Sequence, residues 1–168
     1  MRLTLEKNGK VLEIYATQRL PWKQFPRKLQ RVCDAAFEHV NLPPRTAIVF
    51  LNITIKKNAN RLGFATAAVD FYNFNEFPEI DADMLIVISR NMSLGRMAKV
   101  IAHEFGHIDH MVTYPETLGR VWQKAKEEAY ADEFIDKLGA RMPRRYAKEI
   151  RIVEARDGTF TIRPRRRA

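Results

Sequence analysis

The chain has 168 residues, a length that suits one domain with a hydrophobic core, and its 46% hydrophobic and 29% charged residues are ordinary for a globular protein. No stretch approaches the roughly 18 apolar residues that cross a bilayer, the opening Met1-Arg2-Leu3-Thr4-Leu5-Glu6-Lys7 carries no apolar run of signal-peptide length, and the one cysteine, Cys33, excludes an intramolecular disulfide framework. The net charge of +9 is uneven: residues 137–168 hold eleven Lys or Arg against three acids, +8 of the total. The expectation is a soluble, cytoplasmic protein with no membrane partner and Cys33 as a small buried thiol. Its basic C-terminal region reads either as a solvated end or as a surface for nucleic acid or an acidic partner.

In chain order, residues 2–7 and 10–16 flank Asn8-Gly9, a pair suited to a tight hairpin turn that needs positive φ at both central positions. Residues 22–41 read as a helix, because Phe25, Leu29, Val32, Ala36 and Val40 recur at three- and four-residue steps, and Pro43-Pro44 ends it. Thr46 to Ile55 is rich in β-branched residues and reads as a strand. Residues 56–82 are punctuated by Asn, Gly and Pro and predict one or two short strands with an exposed loop. Met84 to Ile88 reads as another strand. Ser93 suits the N-cap of a helix over 94–112, with Leu94, Met97, Ala98, Ile101, Phe105 and Ile108 as its buried stripe. Pro115 suits the first turn of a helix over 115–138, and Gly139 its end. A short helix near 143–149, strands at 150–156 and 159–163 turning at Asp157-Gly158, and a disordered tail, 164–168, complete a single domain over 1–163.

The chemistry concentrates in His103-Glu104-Phe105-Gly106-His107, inside the helical pattern. Residues four apart on a helix point to nearly the same side, so His103 and His107 can present two imidazole nitrogens to one zinc ion. Glu104 can reach a water at that metal and serve as general base in its attack on a carbonyl. Gly106 costs about 1 kcal/mol of helix stability relative to Ala, a cost explained if another element packs closely over it.

Zinc needs a further protein ligand, with one position left open. His110 sits roughly 10 Å beyond His103 along the helix axis and cannot easily share the ion. The third ligand is then a carboxylate, or His39 or Cys33 from upstream. The second helix offers Glu127-Glu128-Ala129-Tyr130-Ala131-Asp132. Glu128 and Asp132 share a face: Glu128 can bind zinc, and Asp132 can accept a hydrogen bond from the outer nitrogen of a ligand histidine. Glu127 points about 100° away. The plainer reading of this acidic run is a solvated helix face.

These residues resemble the zincins, and within them the gluzincin branch, in which an HExxH helix is followed by a second helix with its Glu ligand in a Glu-x-x-x-Asp setting. Here those are His103 to His107 and Glu128 to Asp132, with residues 84–138 carrying the likeness. The short chain looks most like minigluzincins and the small ImmA/IrrE-type peptidases. Other HExxH families match less well. The metzincin continuation would place Gly at His110 and His at Thr113, SprT-like peptidases use a later histidine that is absent, and the surroundings of Cys33 differ from the deformylase motif.

The resemblance implies an α+β, zincin-like fold: a small mixed sheet, an HExxH active-site helix and a second ligand-bearing helix. It implies Zn2+ held by His103, His107 and Glu128, Glu104 as catalytic base, Asp132 orienting a ligand, and a protein or peptide substrate, with a DNA-bound regulator as one version. It also implies that the strand at 84–88 is the edge against which an extended substrate pairs. Many such enzymes add a donor to the oxyanion; Tyr72, Tyr114 and Tyr130 are the candidates, each of which also reads as a packing aromatic. The alternative function is a catalytically silent module on the same fold, binding nucleic acid or an acidic protein through its basic C-terminal region.

Overall fold

The computed structural model describes residues 2–16, 22–51, 63–67, 80–90, 92–117, 124–140, 150–154 and 160–164. β1 (Arg2–Lys7) and β2 (Lys10–Ala16) form the expected hairpin, with Lys7 paired to Lys10. Asn8 at φ 54° and Gly9 at φ 71° supply the two left-handed residues of the turn.

The first helix, α1, covers Arg27–His39, shorter than the predicted 22–41. Its start is set by Pro26, at φ −62° and ψ 133°. Proline pushes the residue before it out of the helical region. Phe25 and Trp22 therefore reach the core from a non-helical segment, Trp22 edge-on to Phe50 at 5.8 Å. The helix ends at Val40, which is extended and whose N–H still donates to the Ala36 carbonyl.

β3 (Arg45–Leu51), β4 (Gly63–Ala67) and β5 (Met84–Ser89) complete a five-stranded mixed sheet in the order β1-β2-β3-β5-β4. β2, β3 and β5 run parallel, while β1 and β4 run antiparallel at the two edges. The predicted strand residues 52–55 and most of the 56–82 segment, with its expected exposed loop, lie outside the described residues. So do the predicted helix at 143–149 and residues 165–168 of the tail. Pro164 is instead the last residue of β7 (Phe160–Pro164), which pairs antiparallel with β6 (Ile150–Glu154) in a separate two-stranded sheet.

The central strands are buried on both faces, which accounts for their nearly unbroken apolar sequence. On one face Leu12, Ile14, Ile48, Phe50, Ile86 and Ile88 pack against the helices. On the other, Ala47, Val49, Leu85 and Val87 pack with Ile80. Glu13 is only 4% exposed; it accepts from the Tyr15 hydroxyl and lies 3.9 Å from the Arg45 guanidinium.

The second helix, α2 (Leu94–Thr113), begins as expected at Ser93, whose side chain accepts from the Arg96 N–H at 3.4 Å. It lays Met97, Ala98, Ile101, Ala102, Phe105 and Ile108 on the core, whereas Leu94, expected on that stripe, is exposed in the first turn. Pro115–Thr117 forms a 3-10 turn rather than the start of a long helix, and α3 covers Lys124–Lys137. α3 ends with Gly139 at φ 68°, where the Gly139 N–H reaches the Asp136 carbonyl and the Ala140 N–H reaches that of Ile135. Those two bonds satisfy the last carbonyls of the helix in the manner only a left-handed residue permits cheaply. Among the described residues no helix is long and apolar enough to cross a membrane.

Candidate metal centre

α2 and α3 meet at Gly106. A Cβ at that position would stand 2.6 Å from the Ala131 Cα and 2.8 Å from its carbonyl oxygen. The glycine therefore admits the backbone of α3 to van der Waals contact, which is the physical reason for a weak helix former inside α2. This approach brings α3 to the level of the two histidines, three residues after Glu128 and one before Asp132.

His103 and His107, one turn apart on α2, direct their Nε2 atoms to within 3.1 Å of each other. The Glu128 carboxylate closes the group, with Oε2 3.1 Å from His103 Nε2 and Oε1 3.3 Å from His107 Nε2. A tetrahedral zinc ion with bonds of about 2.05 Å to nitrogen and oxygen requires donor atoms about 3.3 Å apart. The three observed separations are close to that edge, and the donor set is one that zinc accepts. Among the described residues this is the group of His, Cys, Asp and Glu side chains that could hold an ion.

Asp132, one turn beyond Glu128, places Oδ1 2.8 Å from His103 Nδ1. A carboxylate there keeps the proton on Nδ1, so the Nε2 lone pair of His103 faces the centre. Burial, above all, holds the His107 imidazole below its ordinary pKa; Glu128 pulls the other way and His103 adds to the lowering. A depressed pKa keeps His107 neutral, the form that donates to a metal.

Glu104 is buried, at 6% exposed. It follows His103 by about 100° round the helix, and the described geometry does not draw it into the three-donor group.

The other upstream candidates stand apart. Cys33 lies in the core with its thiol pushed up by burial, and His39 ends α1 in an exposed position. His110 packs its ring against Tyr114 and Tyr130, at 5.5 and 5.2 Å between centroids.

Two sequence expectations change. β5 is hydrogen-bonded on both sides, to β3 and to β4, so it is not the edge; among the described residues the edge on that side is the antiparallel β4. Sheet order depends on pairings far apart in the chain, and no local pattern in 84–88 encodes it. Among the tyrosines, the Tyr130 hydroxyl donates to Asp109, Tyr114 is exposed at the end of α2, and Tyr72 lies outside the described residues.

The residue that sequence reasoning passed over is Asp109, 7% exposed on the buried side of α2. Its signal was available: it continues the stripe of Ala102 and Phe105 at seven- and four-residue steps, and a carboxylate on an apolar stripe needs internal partners. No family model matches the chain, and no curated protein matches it.

Proposed function

We propose that the chain is a zinc-dependent metallopeptidase of gluzincin type, with a zincin-like α+β fold and a cytoplasmic setting. The observation that carries this reading is the convergence of His103, His107 and Glu128 donor atoms at 3.1 to 3.3 Å, with Asp132 orienting His103 from behind. When bound, zinc supplies Lewis acidity, acidifying water and polarising a substrate carbonyl.

The chain's own residues do the rest. His103 enters with its Nδ1 held by Asp132, and His107 as an imidazole that burial keeps from protonating. Glu104 accepts the proton of the attacking water on its carboxylate and returns it to the leaving amine. β4, the terminal strand among the described residues, would offer main-chain N–H and C=O groups to an extended peptide pairing by strand addition.

The test is metal content and peptide hydrolysis of purified protein beside Glu104→Gln. About one zinc per chain in both, with turnover confined to the wild type, is the expected outcome. Full activity in the Glu104→Gln protein removes the assigned mechanism. An absence of zinc after reconstitution removes the metallopeptidase reading altogether.

A second reading, the non-catalytic binding module, is favoured by one separate observation. The register of the β6–β7 ribbon sets Arg151 opposite Arg163. Arginine at both positions of one cross-strand pair, followed in the sequence by Arg165-Arg166-Arg167, concentrates basic residues in this part of the chain. Binding of duplex DNA that weakens steeply with salt, and whose log–log salt slope falls in Arg151→Ala/Arg163→Ala, supports this reading. Salt-independent or absent binding removes it.

A further inference from the structure

The close approach at Gly106 sets how near α3 lies to α2. It leaves two motions undetermined, because contact between apolar surfaces is non-directional: α3 could slide along α2 or roll about its own axis without losing much of it. Either motion would carry the half-exposed Glu128 side chain away from the histidine nitrogens. Something directional must fix the register of the two helices.

Asp109 and Tyr130 supply that directionality. Asp109 follows His107 by two residues on α2, and Tyr130 follows Glu128 by two on α3. The Tyr130 hydroxyl donates to Asp109 Oδ2. The other carboxylate oxygen, Oδ1, accepts the backbone N–H of Asn41 at 2.6 Å, just beyond the end of α1. One carboxylate thus joins α2, α3 and the segment that follows α1, and the Asn41 bond fixes the plane in which Oδ2 can receive the phenol. The Tyr130 ring is held edge-on to His110 and Tyr114, at 5.2 and 6.2 Å, and tilted against Phe134 at 5.6 Å. His110 and Tyr114 belong to α2 and its end, and Phe134 to α3, so a slide of α3 must break both these α2 ring contacts and the hydrogen bond, which together resist the displacement. A charge-assisted bond to a carboxylate as buried as that of Asp109 is also costly to leave unmade.

We infer that Asp109 and Tyr130 are positioning residues for the proposed metal centre: their bond fixes the register of α3 on α2 and so delivers the Glu128 carboxylate to His103 and His107. This rests on the metal reading above and adds residues that never touch the ion. Asp109 acts through Tyr130, and Tyr130 through the backbone of α3. The third tie, His103 to Asp132, operates within the centre itself; the Asp109–Tyr130 bond lies outside it.

The test compares zinc affinity, by competition with a chromophoric chelator, and the visible spectrum of the cobalt(II)-substituted protein. The proteins are the wild type, Tyr130→Phe, Asp109→Asn and Glu128→Ala. Tyr130→Phe keeps the ring and removes only the hydroxyl, so it folds even where Asp109→Asn does not. The expected result is a loss of zinc affinity in Tyr130→Phe of about tenfold, the lower end for residues that support metal ligands indirectly. Its cobalt spectrum should shift part of the way towards that of Glu128→Ala. A Tyr130→Phe protein that is less stable to urea but keeps wild-type zinc affinity and cobalt spectrum overturns the inference, because a merely structural bond would behave so. Wild type that binds neither metal overturns the metal reading instead, so the two failures are distinct.

Discussion

Replacing Gly106 by Ala adds one methyl group at the point where α2 and α3 are closest. Helix propensity alone would make the variant more stable, by about 1 kcal/mol. The structure opposes that gain. The new Cβ would lie 2.6 Å from the Ala131 Cα, 2.8 Å from the Ala131 oxygen and 3.0 Å from Phe134 Cδ2, against the 3.4 Å at which ordinary contact begins. Two of these three atoms are backbone and cannot rotate away, so α3 must retreat by about 0.8 Å at that level. Overpacking of this kind costs about 1–3 kcal/mol, which leaves the metal-free protein less stable by about 1 kcal/mol after the propensity gain. The same retreat would carry Glu128 from 3.1 and 3.3 Å towards about 4 Å from the histidine nitrogens, beyond the tetrahedral edge that zinc requires. Zinc affinity should fall by about tenfold or more. Urea unfolding of the metal-free protein and chelator competition measure the two effects separately. A Gly106→Ala protein that is about 1 kcal/mol more stable, with unchanged zinc affinity, would refute the close-packing argument and leave Gly106 without a role.

Asp132→Ala removes the acceptor on His103 Nδ1 from an exposed position, so metal-free stability should change by less than about 0.5 kcal/mol while zinc affinity falls about 10- to 100-fold; equal affinity in the two proteins counts against the orienting role. The stability of the metal-free protein should also depend on His107. Its folded pKa lies below the ordinary 6.5, so the unfolded chain takes up the proton first. The contribution is complete above about pH 6.5 and is lost as pH falls through the window below it. Urea midpoints measured across that window should fall more steeply in wild type than in His107→Gln, and parallel slopes would show that burial of this imidazole carries no such linkage.

The parts of the molecule that local sequence encodes are those whose partners are near in the chain. Asn8-Gly9 specifies its turn by backbone freedom alone, and Ser93 and Gly139 mark helix ends through bonds made within a few residues. His103, His107 and Glu128 are legible as a group for a related reason: their spacing puts them on single faces of two neighbouring helices. The cost of Gly106 even announced a close neighbour, although not that Ala131 would be the residue in contact. What escaped depends on distant pairings. Phe25 fits the stripe of α1, but Pro26 sets the helix start. Met84 to Ile88 looks the same whether it lies at an edge or between two strands, and here β4 covers its outer side. Asp109 takes its meaning from Asn41 and Tyr130, on two other segments.

His107 and Glu128 stand twenty-one residues apart in the chain. Any link between them closes a loop, and for a flexible segment of that length the length-dependent entropy cost is about 2.7 kcal/mol. Gly106 against Ala131 and Tyr130 on Asp109 close the same loop within the protein itself. On the proposed metal reading, an ion at the centre would meet chain ends already joined, with mainly the Glu128 side chain left to order. Doubling the connection would add only about 0.6 kcal/mol to its closure. The number of residues between α2 and α3 is thus a soft variable in the evolution of such a chain, whereas a methyl at 106 or a lost hydroxyl at 130 is a hard one.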